Sequence, residues 1–150
     1  MMRKILGAVV GYIVYFFSLW LLFAGFSAVL GPDRIFLPGN YDPSMMWFIG
    51  AFGLAFITAA IGGYVAALIG KSGAVRIMAG IVVLVGVLVF VLLLQENSAV
   101  KPRTVDLPTM EAMFEAREPL WFAAVNPLLV VIAVFAGGAL RSRRAGAAAG

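Results

Sequence analysis

The chain has 150 residues, of which 63% are apolar and only 12% charged, and its mean hydropathy is +1.06. No water-soluble domain of this length can hide so much apolar surface, which excludes the soluble globular classes. It has no cysteine and no histidine, so disulfides, thiolate catalysis and imidazole metal ligands are excluded too.

The charged residues fall in short segments that separate four apolar runs. These predict membrane spans over 5–30, 45–70, 77–96 and 119–140, with outer loops 31–44 and 97–118. Each run holds at least the roughly 18–20 residues that a helix needs to cross about 30 Å of hydrocarbon. The expected fold is therefore an all-α integral membrane protein, a bundle of four transmembrane helices forming one domain. Arg3, Lys4, Lys71, Arg76, Arg141, Arg143 and Arg144 lie on one side of this topology with no acidic residue among them. All seven acids lie on the other side, with Arg34, Lys101, Arg103 and Arg117. Basic residues collect on the cytoplasmic side, which places both termini inside, most simply in a bacterial cytoplasmic (inner) membrane. The net charge of +4 is then a topology signal and a contact for anionic lipid, not a nucleic-acid surface.

The first span follows Arg3-Lys4 and is about twice the length of a signal-peptide core, so it is expected to be an uncleaved helix. Gly7 and Gly11 form a GxxxG pair on it, and Tyr12, Tyr15 and Ser18 are its polar groups. The 31–44 loop contains three prolines and Gly39-Asn40, which forbid a continuous helix or central strand. Ser44, or Asp42 before Pro43, is a natural N-cap for the second span.

That second span carries Ala51, Ala55, Ala59, Gly63 and Ala67 at a spacing of four, which a helix stacks into one stripe. In lipid such a stripe lets another backbone come close, and van der Waals contact replaces the missing hydrophobic drive. The expected opposite surfaces are Gly7 and Gly11 on the first span and Ala133 and Gly137 on the fourth. Gly70 is read as a C-cap and Ser72 as the next N-cap, making spans two and three antiparallel neighbours. Gly70-Lys71-Ser72 resembles the end of a phosphate-binding loop, but Val65 stands where that motif needs glycine, so it is rejected.

The third span has no side-chain hydrogen-bonding group until Gln95 and suits a lipid-facing position. In the second outer segment, Thr109 is positioned to cap a short amphipathic helix carrying Met110, Glu111, Met113, Phe114 and Glu115. In the fourth span Asn126 precedes Pro127. Asn126 joins Tyr12, Tyr15 and Thr58 as the intramembrane polar set, with an interhelical hydrogen bond to one of them expected. Trp20, Trp47 and Trp121 at the outer interface, Tyr64 at the inner one, and Arg141, Arg143 and Arg144 are the expected interface anchors.

A tandem duplication of a helical hairpin also fits the pattern. Arg3–Val10 aligns with Arg76–Val83, Trp47-Phe48 with Trp121-Phe122, and Gly62-Gly63 with Gly137-Gly138, at offsets of 73, 74 and 75.

No grouping predicts a catalytic, cofactor-binding or metal-binding residue. Glu96, Asp106, Glu111, Glu115 and Glu118 hold the carboxylates from which an acid–base pair would come, and outer-loop acids are ordinarily just solvated. The expected function is that of a non-catalytic accessory or scaffold subunit, with the lipid bilayer, other membrane subunits or a second copy as partners and no cofactor. The alternative is a small dimeric transporter or channel for an apolar or weakly polar substrate. Four spans in a short chain are similar in number to the small multidrug transporters, but the first span lacks the acidic residue those require.

Overall fold

The computed structural model of the protein describes residues 1–95, 111 and 118–147. Among them are three helices long and apolar enough to cross a membrane. These are α1 (Met2–Leu30), α3 (Met45–Gln95) and α4 (Leu120–Ala147), joined by a single-turn helix, α2 (Pro32–Ile35). The expected amphipathic segment after Thr109 lies outside the described residues, Glu111 apart.

The second and third apolar runs are one element, α3, whose helical backbone breaks at a single residue, Lys71, with φ 57° and ψ −158°. The chain doubles back there. A Cβ added at Gly62 would lie 2.9 Å from the Met78 Cε, although sixteen residues of straight helix would separate the two by about 24 Å. We call the two arms 45–70 and 72–95. Gly70, expected to end the first arm by its backbone freedom, has a different task. A Cβ there would sit 2.6 Å from the Ala74 Cβ and 2.7 Å from the Arg3 carbonyl oxygen. It is a packing glycine, and the left-handed position falls on the lysine after it.

The 45–70 arm is the centre of the molecule. On one side it runs antiparallel to α1: Gly7 lies beside Ala66 and Gly70, Gly11 beside Gly62, Phe26 over Gly50, and Phe23 against Trp47. The approach at Gly11 and Gly62 is mutual, since a Cβ added at either glycine would stand 2.6 Å from the other's carbonyl oxygen. On another side the arm runs parallel to α4. A Cβ at Gly63 would collide with the Val134 carbonyl oxygen, and one at Gly137 with the Ala60 carbonyl oxygen. At the opposite end of this crossing, Trp47 packs on Phe122 at 5.0 Å and Phe48 on Trp121 at 4.9 Å. Each pair turns into its partner when 74 is added to one number and subtracted from the other. The crossing is thus self-complementary, like an isologous dimer interface contained in one chain. It also makes Gly63, and not Gly62, the counterpart of Gly137.

The 72–95 arm returns beside α4, with Val75 against Gly138 and Gly86 under the Pro127 ring. Its inner face, Ala74, Val75, Met78, Ala79 and Val82, is buried, and Leu84, Val87, Leu88 and Leu92 point outward.

The 31–44 loop folds over one end of the bundle, held by an isolated Phe36–Pro43 bridge and by Ser44, whose N–H donates to the Ile35 carbonyl oxygen at 2.8 Å. Ser44 is the N-cap expected, its Oγ accepting from the Trp47 N–H at 3.3 Å and donating to the Arg34 carbonyl oxygen at 2.7 Å. Ile35, Phe36 and Tyr41 are buried in an aromatic cluster with Trp47 and Phe122.

Candidate functional site

The predicted small-residue stripe is buried throughout. Ala55 and Ala59 are fully enclosed, Ala51 and Ala67 nearly so, and Gly63 meets α4. The arm carries a second such stripe that the spacing of the first concealed: Gly62, Ala66 and Gly70, the row that receives Gly7 and Gly11. Its signal was in the sequence, since these three are also four apart. Gly137 meets the Ala60 and Tyr64 backbone of the arm, and Ala133 is fully buried.

The aromatic and basic positions divide. Trp20 and Trp121 are half exposed, as interface anchors would be, but Trp47 is only 4% exposed. It is enclosed by Phe23, Phe48 and Phe122, because the 31–44 loop covers the end of the bundle where an open interface was expected. Arg144 lies over the Tyr64 ring, 6.0 Å from its centroid, while Arg143 is exposed and the Arg141 Nε is buried without a hydrogen-bond partner among the described residues.

The polar set is where the structure adds most. Thr58 turns back on its own helix and donates to the Leu54 carbonyl oxygen at 2.6 Å, so it satisfies itself and makes no interhelical hydrogen bond among the described residues. Tyr12, Tyr15 and Asn126 come together instead, at a cleft of about 120 Å³ between α1, the 72–95 arm and α4. Val82, Val85, Gly86 and Val89 form one wall. Phe122, Ala123, Pro127 and Val130 of α4 form another, and Glu118, just before α4, stands at its end. The expected hydrogen bond from Asn126 to a tyrosine is not made. The Asn126 Oδ1 is buried with no hydrogen-bond partner among the described residues. In an apolar surrounding an unpaired amide oxygen carries a penalty of about 1–3 kcal/mol, which a bound donor would remove.

Two further features mark this region. Proline has no N–H, so Pro127 deprives the Ala123 carbonyl oxygen of its i+4 donor. Glu118, which sequence reasoning grouped with the solvated outer acids, is largely buried, and burial raises its carboxyl pKa above the usual 4.5. No lysine, arginine or histidine is among the described residues that line the cleft. Its polar chemistry is that of the Asn126 amide, the Tyr12 and Tyr15 hydroxyls and one carboxyl group, set among aliphatic walls and aromatic rings.

Comparison with protein families, with curated proteins and with solved structures finds no match to this chain. The cleft and the packing are therefore what a functional reading rests on.

Proposed function

We propose that this chain is a non-catalytic integral protein of the bacterial cytoplasmic membrane that binds or passes a small, weakly polar molecule at the cleft between α1, the 72–95 arm and α4. One observation carries the reading. Tyr12 and Tyr15 of α1 and Asn126 and Glu118 of the α4 region converge on unfilled space, and the Asn126 oxygen there has no partner. Polar groups embedded at membrane depth are expensive, and function is the usual reason for keeping them. The role of an accessory or scaffold subunit is less well supported, because the small-residue faces that would receive a partner are occupied within the chain. One chain lines the cleft with its own residues, so a monomer suffices for binding.

In this reading the protein crosses the membrane four times with both termini inside. The doubling back at Lys71 supports it, as does the parallel run of the 45–70 arm and α4, which requires a return crossing between them. The reciprocal contacts at a shift of 74 support descent from a duplicated hairpin.

Two experiments test these readings. The chain has no cysteine of its own, so Asn40→Cys, Lys71→Cys and Ser142→Cys report sidedness with an impermeant maleimide. Labelling of Asn40→Cys in intact cells, with the other two labelled only after lysis, is expected; external labelling of Lys71→Cys overturns the topology. For function, proteoliposomes are expected to bind or admit small polar solutes faster than empty vesicles, and Asn126→Leu to abolish the difference. Identical behaviour with and without protein refutes the binding role.

A further inference from the structure

We propose that the cleft takes a small organic cation with N–H donors, a primary alkylammonium of about four non-hydrogen atoms, held by the acceptors of Glu118 and Asn126 with its tail among the valines. This deepens the binding role proposed above and rests on it.

Three properties of the cleft select this ligand class. The first is charge: the only ionisable carboxyl group among its described lining residues is Glu118, and no basic side chain there offsets it. An ionised Glu118 gives the described lining a negative charge, and a cation is the neutralising guest. The second is hydrogen-bond polarity. The Asn126 Oδ1 is an acceptor without a donor, and the Ala123 carbonyl has lost its helical N–H to Pro127. An anion would be repelled by an ionised Glu118, and a quaternary ammonium would leave the Asn126 oxygen unpaired.

The third is the nature and size of the walls. A bare metal ion wants six or more oxygens in a close shell. The described lining offers fewer side-chain oxygen donors than that, the Glu118 carboxylate, the Asn126 amide oxygen and two neutral tyrosine hydroxyls, and its remaining surface is apolar. A volume of about 120 Å³ holds about four water-sized groups. An ammonium with a three-carbon tail fills that space, with Tyr12 and Tyr15 adding ring faces of the kind that attract cations.

The test uses the whole chain in lipid nanodiscs at about pH 8, well below the pKa of an alkylammonium and well above that of a solvated carboxyl group. Binding of n-propylammonium, 1-propanol and tetramethylammonium is followed by calorimetry and ligand-observed NMR. The first two match in size, and the third keeps the charge without the N–H donors. Saturable n-propylammonium binding is expected, tighter than either of the others by about tenfold or more, as a charge-assisted hydrogen bond implies. Glu118→Gln is expected to erase that preference while the helical circular-dichroism spectrum stays unchanged. The comparison among ligands needs no variant, so it decides even if Glu118→Gln folds poorly. If 1-propanol binds as well as n-propylammonium, the cation assignment fails and the binding cleft survives. If tetramethylammonium binds as well, the requirement for N–H donors is wrong and the proposal falls. If none of the three saturates, the cleft is no site for small molecules, and both this proposal and the binding role are overturned.

Discussion

Replacing Gly137 with alanine adds one methyl group where the structure leaves no room for it. The new Cβ would run into the carbonyl oxygen of Ala60 and come 2.9 Å from the Tyr64 backbone nitrogen. Both obstacles are main chain of a packed helix, which cannot swing aside as the end of a flexible side chain does. The 45–70 arm and α4 must therefore separate, and the loss spreads to the reciprocal contact at Gly63 and to the aromatic pairs at the other end of the crossing. Overpacking of this kind costs about 1–3 kcal/mol, and alanine's better helix propensity returns about 0.5–1 kcal/mol. The expected net destabilisation is about 1–2 kcal/mol. Gly53 and Gly80 provide the control, because both are helical and exposed and a Cβ at either meets nothing within 4 Å. Alanine there should be neutral or slightly stabilising. The assay is loss of helical circular dichroism as a denaturing detergent is titrated into mild micelles. The reasoning is refuted if Gly137→Ala unfolds at the same detergent fraction as Gly80→Ala.

Lys71→Gly should stabilise the fold. A φ of 57° with ψ −158° is essentially a glycine conformation whose strain is about 1–3 kcal/mol, while the extra freedom of an unfolded glycine offsets about 0.4–1 kcal/mol; an unchanged or earlier detergent transition contradicts this. Met78, fully buried with its sulfur and methyl against Gly11 and Gly62, should lose about 2 kcal/mol or more as alanine, read in the same titration. Glu118 gives a pH prediction. Folding raises its pKa, so protonation favours the folded chain, and stability from this group should grow as pH falls through that raised value. Alkylammonium affinity should move the opposite way, falling as the carboxylate is neutralised, with a midpoint above that of a solvated glutamate. Calorimetry at several pH values checks this, and Glu118→Gln should show no such midpoint.

The helices were legible from the sequence because lipid imposes a single requirement on each apolar run, that its backbone satisfy itself. Ser44 as a cap and the glycine pairs as contacts followed from equally local rules. Relations among helices were harder to read. The spacing of Ala51 to Ala67 predicted one buried stripe, but a helix at the centre of a bundle is buried on several sides, and the row Gly62, Ala66 and Gly70 serves α1 while Gly63 serves α4. Trp47 looked like a belt residue because its position along the span is right for one. Nothing local shows that a fourteen-residue loop folds back over it. Glu118 looked like one acid among several, and only the meeting of three elements turns it toward Tyr12, Tyr15 and Asn126.

The proposed duplication and the cleft are linked by where the two halves of the chain stop matching. Between the 45–70 arm and α4 the match is good enough for contacts to be reciprocal at both ends, with Ala59 and Ala133 both fully buried between them. Around this axis the outer helices differ. In the first half, Gly7 and Gly11 bring α1 down onto the backbone of the central arm. In the second half their counterparts at a shift of 73 are Gly80, which faces open space, and Leu84, which points outward. The 72–95 arm therefore meets α4 differently, through Gly86 on the Pro127 ring, and space remains beside that contact. Tyr12 and Tyr15 reach into it from α1, and Asn126 reaches into it from the residue before the proline. A duplicated hairpin that packed with full symmetry would close this space. On this argument the cleft exists because the second outer helix lacks the glycine contact that α1 makes. Filling the space from its valine wall, by Val89→Phe, should abolish ligand binding while leaving the Gly63–Gly137 crossing and the overall helix content intact.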